Sequence, residues 1–340
     1  MGVRRIGAAA LVAAAVTALP AATLAAQTTS GNCSTVVTGF NPFAGPDACT
    51  KARDLFAFVM PQAGVALSGG NPVLGEGGTM GGWGKRAISL RVTAVDGRLP
   101  KNVVPVSLGA ATSSNFGAAR VPVPVPSLDA AIGVFAGLPA GLTNIGGVDV
   151  LLGATYLPAV DEDEFSIAPQ TSSVALSYGV RIGALQESSL IPGLSISYMR
   201  RKLPTVSLGY ASGNDTISVR NLAATSNSLR LVASKRIAIF GFAAGIGRDQ
   251  IENTAGVSAV VNETVQGVSQ RGQVQLFDLR NAVTRNTAFV NASLGLLAAR
   301  IVGEFGWSAA GDKDPTTNTF DGRTANEGYR YGSLGVTLRF

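Results

Sequence analysis

Eight side chains carry most of the chemistry that spacing alone can place: Arg91, Asp129, Asp149, Arg181, Arg230, Asn291, Glu304 and Arg339. Each falls on the polar side of a run in which polar and apolar residues alternate, so each is predicted to point away from an apolar face. Charges of both signs on the inner wall of a closed sheet line a narrow polar path, or they pair with one another and fill the space. The mixed signs argue against strong selection for cations or for anions.

Other chemistry is harder to assemble. The chain contains no histidine, which removes imidazole as a base or orienting group. Two carboxylates suffice for glycoside hydrolysis, but spacing brings no pair to one site, and the expectation is that the protein is not an enzyme. Gly84-Lys85 does not make a phosphate loop, because Thr79 replaces the leading glycine and Arg86 stands where serine or threonine is needed. No cofactor is therefore expected. Asp161-Glu162-Asp163-Glu164 could recruit a divalent cation, yet it lacks the spaced ligands and central glycine of a calcium loop, and a solvated loop is the better reading. No metal site is assigned. Arg200, Arg201 and Lys202 close a strand predicted to rise to an outer surface, where they could pair with lipopolysaccharide phosphates or simply carry charge at the strand end with no dedicated ligand.

The elements that must position these residues are short strands. In 173–184, Val174, Leu176, Tyr178, Val180 and Ile182 oppose Ser173, Ser177, Gly179, Arg181 and Gly183. Ile88, Leu90 and Val92 alternate in the same way with Ser89, Arg91 and Thr93. Further runs fall at 127–138, 148–157, 194–202, 226–235, 236–249, 286–297, 299–309 and 329–340. Long polar connections (97–126, 158–171, 203–225, 250–285, 310–328) alternate with short turns near 139–146, 187–193, 235 and 298. That makes ten strands, while alternation within 205–222 and 255–280 leaves room for twelve or fourteen. Aromatics at strand ends (Tyr156, Trp307, Tyr329, Tyr331, Phe340) suit an interfacial girdle.

Composition agrees with lipid on the apolar face. Only 14% of residues are charged and mean hydropathy is +0.29, yet past residue 26 no apolar run approaches the roughly 18 residues of a spanning helix. The predicted fold is all-β, a transmembrane antiparallel up-and-down barrel of about 10–14 strands with a small N-terminal non-barrel segment. Residues 1–26 read as a signal peptide, with Arg4 and Arg5 before the apolar stretch Ile6–Leu19 and cleavage before Gln27. Removing those two arginines takes the net charge from +6 to +4, too diffuse a surplus for nucleic acid. Residues 27–84 form a separate segment. Cys33 and Cys49 are expected to form a disulfide, Asp47–Met60 a short helix capped by Asp47 and stopped at Pro61, and 69–84 a Gly-rich run. This segment sits in the lumen as a plug or projects into the periplasm, and 85–340 is the barrel.

The last strand ends Ser333-Leu-Gly335-Val-Thr-Leu338-Arg-Phe340. It resembles the C-terminal signal of bacterial outer-membrane barrels, in which Ser333, Gly335, Leu338 and Phe340 would be read by the barrel-assembly machinery. The overall layout (leader, N-terminal element, medium barrel, terminal Phe340) resembles the long-chain fatty-acid transporter superfamily, although Asn41-Pro42-Phe43 echoes that family's N-terminal signature poorly. The resemblance implies passive transport of small or hydrophobic solutes across the outer membrane. The implied partners are membrane lipid, lipopolysaccharide and a hydrophobic cargo. The alternative is a structural or surface-interaction barrel with a filled lumen.

Overall fold

The computed structural model describes residues 45–100, 113–162, 165–212, 215–265, 268–311 and 316–340. The signal peptide and Cys33 lie outside the described residues; Cys49 is buried. Ten strands follow one another in the chain: β1 (Arg86–Pro100), β2 (Ala118–Phe135), β3 (Gly147–Tyr156), β4 (Val174–Leu185), β5 (Gly193–Lys202), β6 (Asp215–Ile237), β7 (Phe240–Val265), β8 (Val268–Leu296), β9 (Ala299–Ser308) and β10 (Tyr329–Arg339). Each pairs antiparallel with its sequence neighbours, and β1 pairs with β10 to close the ring. The sheet counts thirteen strands; the three outside the ring are Val160–Glu162, Phe165–Pro169 and Val206–Ser212, leaving ten (13 − 3).

Closure satisfies the edge groups that an open sheet would leave bare in hydrocarbon. Arg86 N–H donates to the Phe340 carbonyl at 3.1 Å, and Phe340 N–H returns to Arg86 at 2.9 Å. The terminal motif has local reasons for its residue types. Ser333 faces inward and pairs with Thr93 at 2.9 Å. A Cβ on Gly335 would come within 2.5 Å of the Leu90 carbonyl and 2.7 Å of Leu74 Cδ2, so only glycine fits. Leu338 and Phe340 face outward, with Arg86 5.7 Å from the Phe340 ring centre.

The outward face is apolar on every strand. Leu90, Leu128, Leu152, Leu176, Ile196, Leu231, Phe242, Val290, Ile301 and Leu334, one from each, are between 41% and 75% exposed. Each such side chain forgoes about 1.5–3 kcal/mol if water covers it, so a continuous belt of them belongs against lipid. Tyr156, Trp307 and Phe340 also face outward. Tyr329 and Tyr331 do not: both are buried, because their register on β10 places them with the inward set, and they leave the predicted girdle.

The predicted long connections are partly strand. Val206–Ser212 is a strand outside the ring, while the stretch 215–225 and nearly all of 250–285 are the arms of β6, β7 and β8, which reach 23, 26 and 29 residues. About ten residues cross a bilayer, so these strands project well beyond it on one side without adding members to the ring. At the other rim the joins are tight, with Ala238-Ile239 and Leu297-Ala298 between strands. Short turns mark the periplasmic rim and long arms the outer rim. On β2, Pro122, Pro124 and Pro126 occupy a stretch paired with β1, ahead of the first β3 partner at Ser127. Proline lacks the N–H that such a bare edge would offer to another strand.

The helix α1 spans Gly45–Ser68, so it begins before Asp47 and does not stop at Pro61. Proline removes one intrahelical bond and normally ends or kinks a helix. Here the next residue anchors it to the wall. Gln62 donates to the Phe58 carbonyl at 3.0 Å and to Arg98 O at 2.9 Å, and accepts from Arg98 N–H at 2.6 Å. Every residue from Gly69 to Met80 is buried, since α1 and the run after it occupy the space inside the ring.

Candidate functional site

The enclosed segment meets the barrel in three layers. In the outer layer α1 packs its apolar side against the arms: Phe56, Met60 and Leu67 share a cluster with Val95, Ile251 and Leu279. Close approach needs a small residue, and a Cβ on Gly64 would lie 2.2 Å from Ile251. The connection between β9 and β10 folds over this layer. Phe320 stacks on Phe58 with ring centres 4.2 Å apart, and Asp54 accepts the backbone and side-chain N–H groups of Asn318, both at 2.8 Å. Arg285, fully buried, donates to Ala309 O and Glu327 O at 2.8 Å and holds the same connection from below.

The middle layer is charged. Asp129 receives Arg91 at 2.7 Å and Arg201 at 2.6 Å, and Asp249 receives Arg230 at 2.7 Å. Glu304 accepts Gly70 N–H (3.0 Å), Asn71 N–H (2.8 Å), Asn291 Nδ2 (2.8 Å) and the Ser333 hydroxyl (3.0 Å). Arg230 donates to the carbonyls of Gly69 and Gly70 at 2.9 and 3.0 Å, and Arg91 to that of Asn71 at 2.8 Å. Burying an ion is costly unless it is paired and its other hydrogen-bonding capacity is met; here much of that capacity is met by the main chain of the enclosed segment.

The inner layer lies at the periplasmic rim. Asp149 holds Arg181 at 2.7 Å and the Met80 N–H at 3.0 Å. Arg339 reaches Glu76 at 3.1 Å, and Thr79 meets Gln186 at 2.5 Å. In the turn after β4, Glu187 pairs with Arg236 at 3.1 Å and accepts the Ser234 hydroxyl at 2.9 Å. Burial pushes the Glu187 carboxyl up, but the Arg236 guanidinium and these hydrogen bonds outweigh it and hold the group below its ordinary value.

The eight residues singled out from spacing all turn toward the enclosed segment, and the layers join them through ion pairs and hydrogen bonds. The basic triplet divides. Arg201 is buried on Asp129, whereas Arg200 and Lys202 take the opposite face. Period-2 alternation forbids three consecutive side chains from sharing a surface, so Arg201 is removed from the predicted lipopolysaccharide contact. Asp249, Asn71 and Glu76 were missed. Asp249 shares the small inward face of Ala243, Gly245 and Gly247, a signal available in β7. Asn71 and Glu76 lie in a Gly-rich run with no period to read. Of the acidic cluster, Glu162–Glu164 have side chains outside the described residues. Among the described residues no group of three or more metal-ligating side chains occurs.

No known protein family matches the sequence, and no curated protein matches it. Solved structures with a similar trace include the translocator domain of the autotransporter NalP from Neisseria meningitidis. It is 13% identical, with 76% of this chain and 89% of that one covered and a TM-score of 0.31. Outer-membrane expressed OmpT of Vibrio cholerae is 7% identical, covering 75% of this chain and 97% of that one, with a TM-score of 0.16. A BenF-like porin from Pseudomonas fluorescens is 8% identical, covering 75% and 98%, with a TM-score of 0.16. The exclusion of catalysis is corrected at this point. OmpT stands among the similar traces, and a barrel fold by itself decides neither for nor against an enzyme. The missing imidazole removes only chemistry that needs imidazole.

Proposed function

We propose that this outer-membrane β-barrel is closed by its own N-terminal segment and acts as a surface-interaction barrel with a filled lumen. The observation that carries the reading is the grip of Glu304 and Arg230 on the main chain at 69–71, across the middle of the barrel. The long outer arms of β6, β7 and β8 supply the surface for contacts. Reconstituted in planar bilayers, the full-length protein is expected to hold no steady open current. A stable open level in the unmodified protein would refute the closed lumen.

A second reading, passage of small polar solutes, draws on one specific feature. The hydroxyls of Thr155, Ser177, Ser195 and Ser197 are buried on the β3–β5 wall without a hydrogen-bond partner among the described residues. Buried polar groups of this kind ordinarily bind water. With the charged middle layer beside them, they favour water and small hydrophilic solutes over the hydrophobic cargo implied by the family resemblance. Liposome swelling with a small sugar separates the two readings: swelling favours passage, and its absence favours closure.

A further inference from the structure

We propose that the polypeptide is threaded outward through its own barrel and held there by main-chain atoms, so that the chain upstream of Gly45 is delivered to the outer surface. The direction of the enclosed segment carries this. Residues 54–58 of α1 sit beneath the outer connection, against Asn318 and Phe320. Residues 69–71 lie at the charged middle layer, on Glu304 and Arg230. Residues 76–82 lie at the periplasmic rim, on Arg339, the Glu187 turn and Ala136. Trp83 is 83% exposed, and β1 starts three residues later. The chain therefore enters at the outer mouth and leaves at the periplasmic one. A plug pushed in from the periplasm would have both of its ends on that side.

The wall treats the thread as a backbone. Glu304 and Asp149 accept the N–H groups of Gly70, Asn71 and Met80, while Arg230 and Arg91 donate to the carbonyls of Gly69, Gly70 and Asn71. Side chains are excluded at the tightest points: a Cβ on Gly70 would lie 2.6 Å from Glu304, and one on Gly77 2.6 Å from Ser234 N. A lumen that reads amides and carbonyls in this way suits an extended polypeptide with few side-chain demands, which is the ligand class assigned here.

The proposal deepens the closed-lumen reading, and its test is independent of conductance. An epitope is inserted after Gln27 in the full-length protein, and intact cells are exposed to an impermeant label. A second copy of the epitope at Gly322, in the outer connection, serves as the outside reference, and a third in the turn at Ser189 as the inside one. The Gln27 epitope is expected to label with the Gly322 epitope in intact cells, and the Ser189 epitope only after the outer membrane is permeabilised. Labelling of the Gln27 epitope only after permeabilisation, with Gly322 labelled before, overturns the proposal. For the main-chain grip, Met80→Leu keeps the N–H held by Asp149 and is expected to raise bilayer current far less than proline does. Met80→Pro, which removes the N–H held by Asp149, is expected to raise it at least tenfold. Equal currents in the two variants overturn recognition through the backbone.

Discussion

Replacing Glu304 with glutamine tests the middle layer directly. The carboxylate takes two hydrogen bonds on each oxygen, from Gly70 N–H and the Ser333 hydroxyl on one, and from Asn71 N–H and Asn291 Nδ2 on the other. Glutamine keeps the shape but turns one oxygen into a donor. The cheaper placement faces the new amide toward Ser333, whose hydroxyl can rotate to accept. Gly70 N–H is then left facing a donor, at a cost of about 1–3 kcal/mol. The remaining bonds lose their charge assistance, which adds roughly 1 kcal/mol. A total of about 2–4 kcal/mol against the seated segment, at about 1.4 kcal/mol per factor of ten, shifts the closed-to-open ratio roughly 30- to 700-fold. Single-channel recording measures that ratio, and heat-modifiable gel mobility checks that the barrel itself is intact. An intact E304Q barrel as silent as the parent would refute the claim that this carboxylate holds the segment in place.

The Glu187–Arg236 pair should respond to acid: a carboxyl held below its ordinary value stabilises the periplasmic turn above that range, and the contribution is lost as pH falls below about 4.3. The protection of amides 187–192, taken relative to their intrinsic exchange rate at each pH, should therefore fall between pH 7 and pH 3 in the parent and change far less in E187Q. Arg201→Ala should destabilise the barrel by about 1–3 kcal/mol by taking one of the two arginines from Asp129, which keeps Arg91, lowering the thermal midpoint with or without lipopolysaccharide. Arg200→Ala with Lys202→Ala should instead remove only the part of the midpoint that added lipopolysaccharide confers. Phe340→Ser strips the outward aromatic beside Arg86 at the closing seam and should reduce the heat-modifiable, membrane-assembled fraction several-fold, with unassembled chain accumulating.

Alternation by itself determined the ten core strands and the inward set, because a residue's face follows from the parity of its position once one side must meet lipid; it left the ring at ten to fourteen members. Arg91, Asp149 and Glu304 were placed inward on that ground alone, and the same rule separates Arg201 from Arg200. The ends of elements were less legible. Pro61 reads as a stop, yet α1 continues because Gln62 finds Arg98 across the lumen. The arms of β6–β8 read as loops because their polar composition suits water beyond the membrane. Tertiary structure alone decided which charges meet and what they hold. Asp129 receives two arginines from strands β1 and β5, and Asn71 meets Glu304 across 233 positions of sequence. Such partners are set by ring closure and by the path of the enclosed segment, and neither leaves a periodic trace in the chain.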